Sequence, residues 1–233
     1  MTSATPIEQR SSDGAERRQS RFASFARRRP ITAFVLVSFG ISWPVLAIPV
    51  IKGLPVEPFA LVLTWFALLG PALVVTRITG GPGAVRRLLS RLLMWRFGAG
   101  RWAVIVLGVP VLTVVLAAAS GTLESPSQGW ARVVGAYLFR LITGALLVNL
   151  WEETAWSGFV QSRLMERHGL LVGSLLTAPL WAGIHLPVFF TGDWTWSEVW
   201  PDLALLLPMA FVYRYQLGMH LLDTGGSVLV VGV

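Results

Sequence analysis

Six long apolar runs constrain the fold of this chain more than any other feature. They cover Ile31–Ile51, Phe59–Val75, Trp102–Ala119, roughly Leu141–Val160, Leu170–Phe190 and Val199–Gln216. A helix crosses a bilayer with about 20 predominantly apolar residues, so runs near that length predict membrane spans. Of the 233 residues, 54% are hydrophobic and only 13% are charged, whereas soluble domains carry about 25% charged residues. The sequence predicts an all-α polytopic transmembrane helix bundle, not a soluble protein.

Three further segments complete this predicted architecture. Residues 1–30 are polar and arginine-rich, which predicts a disordered cytosolic tail and not a cleaved signal peptide. In Val85–Arg96 the leucines recur at helical spacing opposite the arginines, which favours an amphipathic helix in the interface over a solvated basic loop. The apolar run Ser227–Val233 is too short to span. We therefore expect six complete spans plus the start of a seventh that has been cut off.

The distribution of charge predicts the orientation of the chain in the cell membrane. With the N-terminus in the cytosol, the arginines of the tail, of the Arg77–Arg101 stretch and at Arg163, Arg167 and Arg214 all fall on the cytosolic side, as the positive-inside rule requires. The net charge of +7 then indicates contacts with anionic membrane lipids and no nucleic-acid partner.

Two adjacent glutamates, Glu152 and Glu153, lie in the middle of the fourth apolar run. At 1.5 Å per residue, Glu152 lies about 16 Å from the inner end of its span, and His185 of the fifth span about 22 Å from the inner side. The depths differ by roughly one helical turn, so antiparallel neighbours bring these side chains together, while Glu166 and His168 stay at the inner surface. An ionisable residue at that depth indicates function by default.

The chemistry of such a pair leaves two interpretations open. A carboxylate accepts a proton from water, and a neutral imidazole orients that water or binds a metal, which together suit attack by water on a carbonyl group. The alternative is a proton relay or a helix-packing pair within a transporter.

The local sequence resembles the CPBP family of intramembrane proteases, which includes type II CAAX prenyl endopeptidases and bacterial Abi-type proteins. Residues 152–159, Glu-Glu-Thr-Ala-Trp-Ser-Gly-Phe, are similar to the family's Glu-Glu-x-x-x-Arg motif, with Ser157 in the arginine position. Residues 181–185, Trp-Ala-Gly-Ile-His, are similar to its Phe-x-x-x-His motif, with Trp181 replacing phenylalanine. The resemblance extends over about 31–233 and implies one intramembrane protease domain, incomplete at its C-terminus.

The resemblance implies an endopeptidase that hydrolyses peptide bonds of membrane-associated protein or peptide substrates. Glu152 is then the general base that activates water, Glu153 supports it, and His185 orients the water or ligates a divalent metal such as zinc. The family's third motif, His-x-x-x-Asn or Asp, is expected after Ser227, and the chain stops before it. The alternative function is a non-catalytic protein of the same fold that binds a partner, as in bacteriocin immunity or scaffolding.

The predicted topology is testable by cysteine labelling because the chain contains no cysteine of its own. We expect Ser12→Cys and Ser90→Cys to resist a membrane-impermeant maleimide added to intact cells, and to react once the cells are permeabilised. Labelling of either position in intact cells would contradict the predicted orientation.

Overall fold

The structure is a computed structural model that describes residues 21–190 and 192–233. Most of the predicted N-terminal tail lies outside the described residues, but its last part differs from the prediction. Residues 21–28 form a helix, and Phe22, Phe25 and the fully buried Ala26 pack against the main apolar cluster. These three positions share one helical face among the arginines, a stripe too short to stand out in the sequence.

Helices form all the regular structure of the described residues, which contain no strand. The all-α prediction is therefore confirmed. The α-helices are α1 (Pro30–Lys52), α2 (Glu57–Leu63), α3 (Gly70–Ser90), α4 (Ala99–Ala119), α5 (Trp130–Gly144), α6 (Leu150–Ala155), α7 (Ser162–His185), α8 (Trp196–Asp223) and α9 (Val228–Gly232). Wider π-helical turns connect some of them at Thr64–Leu69, Ala145–Asn149 and Trp156–Gln161, and short 3₁₀ turns occur at Arg91–Leu93 and Leu186–Phe190.

Four helical stretches of the described residues are long and apolar enough to cross a membrane. They are Pro30–Lys52, Glu57–Leu93, Ala99–Ala119 and Trp130–Phe190. The last stretch contains both the fourth and the fifth predicted spans. The sixth predicted span lies within α8, which is long enough but is not among these four, because polar residues such as Arg214 and Gln216 occupy its second half.

The fourth and fifth predicted spans are separate helices because the chain reverses at Gly169. This residue has φ +76° inside the otherwise helical α7, a conformation that glycine adopts without steric cost. Gln161 Nε2 lies 3.3 Å from Ser174 Oγ, whereas 13 residues of straight helix would separate them by about 20 Å. The segments before and after Gly169 therefore pack against each other.

The predicted amphipathic segment follows a break in α3 at Gly81, where φ is +71° and ψ is −173°. Leu88 of this segment is buried in the main cluster, while Leu93 and Trp95 are exposed. Arg91 differs from the predicted polar face, because its guanidinium donates hydrogen bonds to Gly158 O at 2.9 Å and to Ser162 Oγ at 3.0 Å. The location of the segment Val85–Arg96 in the membrane interface stays a prediction.

The core lies where α1, α3, α6 and α7 meet the π-helical segment Trp156–Gln161. Phe34 packs edge-on against Trp156 and is tilted against Phe159, with ring centroids 5.6 and 5.4 Å apart. By contrast, α4 and α5 contain no buried residue, as expected of apolar helices that face lipid. The predicted site therefore sits in the densely packed half of the bundle.

A close backbone approach beside Gly169 provides a test of the packing. A Cβ atom added to Gly173 would lie 2.8 Å from the Met165 backbone nitrogen, whereas one added to Gly40 in α1 would meet nothing within 4 Å. We expect Gly173→Ala to lower the free energy of unfolding by about 1–3 kcal/mol through overpacking. Gly40→Ala should leave it unchanged or raise it by up to about 1 kcal/mol.

The measurement is unfolding in detergent micelles for both variants and the parent chain. Equal stabilities of the two alanine variants would contradict the close approach of the two segments.

Candidate active site

Glu152 and His185 meet between α6 and α7, as their depths in the sequence predict. Glu152 Oε1 lies 3.9 Å from His185 Nε2, and the two side chains are 18% and 36% exposed, respectively. This separation is too long for a direct hydrogen bond. The carboxylate and the imidazole are therefore close enough to bind one small molecule between them, and both side chains remain partly exposed.

Trp181 links both members of this pair. Its indole Nε1–H donates to Glu152 Oε1 at 3.2 Å, and its backbone carbonyl oxygen lies 2.7 Å from His185 Nδ1. A carbonyl oxygen only accepts, so His185 Nδ1 carries the hydrogen, and in the neutral imidazole Nε2 presents a lone pair towards Glu152. Phenylalanine, which the resemblance leads one to expect here, has no N–H to donate to the carboxylate.

Glu153 faces a different part of the bundle and forms a buried ion pair with Arg214 of α8. Arg214 Nη1 donates to Glu153 Oε2 at 2.9 Å, and Arg214 Nη2 donates to Glu153 Oε1 at 2.8 Å. The Arg214 side chain is 0% exposed and the Glu153 side chain 3%. Ser157 Oγ also donates to Glu153 Oε2. Successive helical residues point about 100° apart, which is why the two adjacent glutamates serve separate clusters.

Arg214 has a role in the structure that its use as a cytosolic topology signal does not predict, namely the ion pair with Glu153. Its place on the cytosolic side stays a prediction. The guanidinium is fully buried and lies over the Trp181 ring at 5.1 Å. The positive-inside rule counts arginines and does not identify those whose charge is neutralised inside the bundle. A signal was nevertheless present, because a buried glutamate without the motif arginine requires another cation, and the usual arginine position holds Ser157.

Two π-helical segments bracket the short helix α6 that carries the glutamates. Ala145–Asn149 precedes it and Trp156–Gln161 follows it. Such segments are rare and often occur at functional sites. The Trp151 indole donates to Leu146 O, five residues earlier, and Ser162 Oγ donates to Ser157 O, also five residues earlier. Ser157 O also accepts the backbone N–H of Ser162, so this carbonyl group holds two hydrogen bonds.

A cavity of about 90 Å³ opens onto Glu152 and His185. Apolar side chains from α1, α2 and the Leu186–Phe190 turn form much of its wall, among them Leu46, Leu63 and Val188. The volume is larger than a single water requires. The site therefore combines one carboxylate and one imidazole with a small, mainly apolar space.

The described residues do not fit a zinc site at His185. Zinc takes three or four nitrogen, sulfur or oxygen ligands from the protein, and no group of three histidine, cysteine, aspartate or glutamate residues comes together in this part of the chain. Glu153 is the nearest further carboxylate in the sequence, and Arg214 already occupies both of its oxygens. Only Glu152 and His185 remain as metal ligands at this site.

The other ionisable residues near the motifs lie apart from this pair. Glu166 and His168 are exposed at the turn before Gly169. Of the predicted site residues, the structure thus brings Glu152 and His185 together and places Glu153 in a neighbouring cluster. Neither the ion pair of Arg214 nor the hydrogen bond from Trp181 to Glu152 was predicted from the sequence.

Residues 134–233 match the family model described as type II CAAX prenyl endopeptidase Rce1-like. The match confirms the resemblance and includes α6, α7 and α8 with Glu152, Glu153 and His185. The family is one of membrane proteases. No curated protein and no solved structure matches the chain at a significant level.

The ion pair predicts an asymmetric response to mutation. Arg214→Ala leaves the Glu153 carboxylate buried and unpaired, and we expect it to lower the free energy of unfolding by about 3–5 kcal/mol. The double variant Glu153→Met/Arg214→Met removes both charges and should recover most of that loss.

Unfolding of the single and double variants in mixed detergent micelles measures this difference. A double variant no more stable than Arg214→Ala would show that the guanidinium acts through its packing against Trp181 and not through Glu153.

Proposed function

We propose that this protein is an intramembrane endopeptidase that hydrolyses peptide bonds of membrane-associated substrates with a water molecule activated by Glu152. The observation that carries the proposal is the 3.9 Å separation of Glu152 Oε1 and His185 Nε2 at a cavity within the bundle. The family match supports the same class of reaction.

The two facing atoms are both hydrogen-bond acceptors, which favours a donor between them. The His185 Nδ1 hydrogen bond to Trp181 O leaves Nε2 unprotonated in the neutral ring, and an ionised carboxylate only accepts. A water molecule donates one hydrogen to each, since two hydrogen bonds of about 2.8 Å span the distance. In that orientation the lone pairs of the water oxygen point away from Glu152 and His185, towards a substrate carbonyl.

The reaction then needs one base and one route for the proton. A lone pair of the water oxygen forms a bond to the carbonyl carbon, the carbonyl π pair moves onto its oxygen, and the water proton passes to Glu152. Collapse of the tetrahedral intermediate breaks the carbon–nitrogen bond, and Glu152 returns the proton to the leaving amine. His185 orients the water, and general acid–base catalysis of this kind contributes about 10²–10⁴-fold.

Glu153 supports the site without contacting the substrate. Its ion pair with Arg214 joins α6 to α8 one residue away from Glu152, and the guanidinium in turn lies against Trp181. Trp181 positions both Glu152 and His185. Loss of Glu153 therefore weakens activity through the placement of Glu152, in contrast to loss of the base itself.

The test is cleavage by the protein expressed from its complete reading frame and reconstituted in liposomes. The probes are two sets of fluorescence-quenched peptides, one of apolar membrane-spanning peptides and one with a prenylated cysteine near the C-terminus. We expect Glu152→Gln, which cannot accept the proton, and His185→Ala to lower kcat about 10²–10⁴-fold.

Glu166→Gln and His168→Ala are the matched controls, because they change the same residue types at exposed positions of the neighbouring turn. They should retain the parent rate. Cleavage that is unaffected by Glu152→Gln would overturn the proposal. Absence of cleavage in every form, together with capture of a membrane protein that survives Glu152→Gln, would favour the non-catalytic alternative.

A further inference from the structure

Three arginines line one cavity of about 310 Å³, which we call the arginine cavity. Arg87 lies near the end of α3, Arg91 begins the 3₁₀ turn that follows it, and Arg163 lies in the first turn of α7. The arginine cavity shares no lining residue with the cavity of the candidate active site. Ligand pockets typically enclose about 300–1,000 Å³, so the space is sufficient for a small group.

The positive charge of the arginine cavity is not neutralised by its surroundings. Glu166 is the acidic residue among the lining side chains, so three guanidinium groups are set against one carboxylate. Among the described residues the ion pairs are those of Glu152 and Glu153, and neither involves a residue of this cavity. A cleft lined mainly by charge of one sign attracts counter-ions. The cavity therefore favours an anionic ligand.

Arg87 and Arg163 retain hydrogen-bond donors that a ligand can reach. The Arg87 side chain is exposed and makes no hydrogen bond to the described residues. Arg163 is half-buried and donates one N–H to Phe159 O at 2.9 Å, while its guanidinium lies over the Phe159 ring at 4.0 Å. A guanidinium group has five N–H donors, so both arginines keep available ones. Thr76 also lines the cavity but is only 2% exposed, so its hydroxyl is out of a ligand's reach.

Arg91 holds together the two segments that form the arginine cavity. Its Nη2 donates to Ser162 Oγ at 3.0 Å and its Nη1 to Gly158 O at 2.9 Å. Ser162 directly precedes Arg163, and Arg87 lies four residues before Arg91, which is one helical turn. The hydrogen bonds of Arg91 therefore fix the backbone around both of the arginines that have free donors.

A second cavity, of about 480 Å³, shares a wall with the arginine cavity. Arg91, Ser162 and Glu166 line both of them. Apolar side chains form much of the remaining wall of the second cavity, namely Met165, Leu170, Leu221 and Leu222. Leu222 is 60% exposed, so this wall continues onto the outer surface of the bundle. A basic cavity beside an apolar one suits an amphiphile with an anionic head, whereas a free inorganic anion makes no use of the apolar wall.

We propose that the arginine cavity binds the phosphate group of an anionic membrane lipid, whose glycerol and acyl part lies along the neighbouring apolar cavity. The planar fork of a guanidinium group matches two oxygens of a phosphate. The arginines belong to the predicted cytosolic side, where basic pockets between membrane helices meet anionic headgroups. No step of the proposed hydrolysis passes through this cavity, so the inference is independent of the endopeptidase function.

The experiment measures lipid binding to the purified protein in a neutral detergent by native mass spectrometry. The probes are phosphatidylglycerol and phosphatidylcholine with identical acyl chains, which share the phosphate group but differ in net charge. The parent protein should bind one phosphatidylglycerol more tightly than phosphatidylcholine. We expect Arg87→Gln to weaken phosphatidylglycerol binding roughly 5- to 30-fold, and Arg87→Gln/Arg163→Gln to weaken it further.

The matched control is the double variant Arg86→Gln/Arg167→Gln. It removes the same positive charge from two exposed residues of the same segments, neither of which lines the arginine cavity, and it should bind phosphatidylglycerol as the parent does. Arg87→Gln loses no contact within the described residues, so it should also unfold at the parent temperature. This single variant keeps the test decisive if the loss of the contact between Arg163 and Phe159 destabilises the double variant.

Inorganic phosphate, added without lipid, distinguishes the two sources of the phosphate group. If it raises the unfolding temperature of the parent but not that of Arg87→Gln, while phosphatidylglycerol binds no better than phosphatidylcholine, the ligand is free phosphate and the lipid assignment is overturned. Equal losses of phosphatidylglycerol binding in the control and in Arg87→Gln/Arg163→Gln would show that net charge alone attracts the lipid, and would overturn the site. Unchanged binding in Arg87→Gln would overturn it as well.

Discussion

The buried ion pair between Glu153 and Arg214 is the interaction on which the arrangement of the site depends. A charge inside a membrane bundle is costly unless a partner neutralises it, so neither side chain can leave the other without a large penalty. The pair joins α6 to α8. Gln161 and Ser174 also bind the Arg214 carbonyl oxygen, which ties both segments that flank Gly169 to the same point of α8. The helices that carry Glu152 and His185 are thereby held in one register.

Neutralisation of Glu153 also explains why two adjacent carboxylates can occupy the centre of the bundle. Two unpaired negative charges side by side in a medium of low dielectric constant repel each other strongly. Arg214 cancels one of them, and the helical rotation between successive residues directs the other towards His185 and the cavity. A single free carboxylate with a neighbouring imidazole is the arrangement that one activated water needs.

Apolar periodicity and charge predicted much of this arrangement, but they do not predict contacts between segments that are distant in the sequence. The all-α bundle follows from run length, and the meeting of Glu152 with His185 follows from their depths in consecutive helices. Arg214 could not be assigned because it is 61 residues from Glu153, and the same arginine also satisfies a topology rule. The helical stretch at residues 21–28 was missed because three apolar residues do not outweigh the surrounding arginines. The cavity beside Glu152 and His185 depends on packing in three dimensions, which periodicity and charge do not describe.

The departures from the family motif are consistent with one another once Arg214 is considered. At residue 157 the motif leads one to expect an arginine, but this site is fully buried and lies against Glu153, to which Arg214 already donates from α8. A second guanidinium there would have neither space nor an unpaired carboxylate. Serine is small enough to leave room for Arg214 and still donates to Glu153. Trp181 also contacts both parts of the site. Its ring lies beside the Arg214 guanidinium, and its indole N–H donates to Glu152. Arg214 therefore supplies the positive charge beside Glu153 from α8 and ties the site to a third helix.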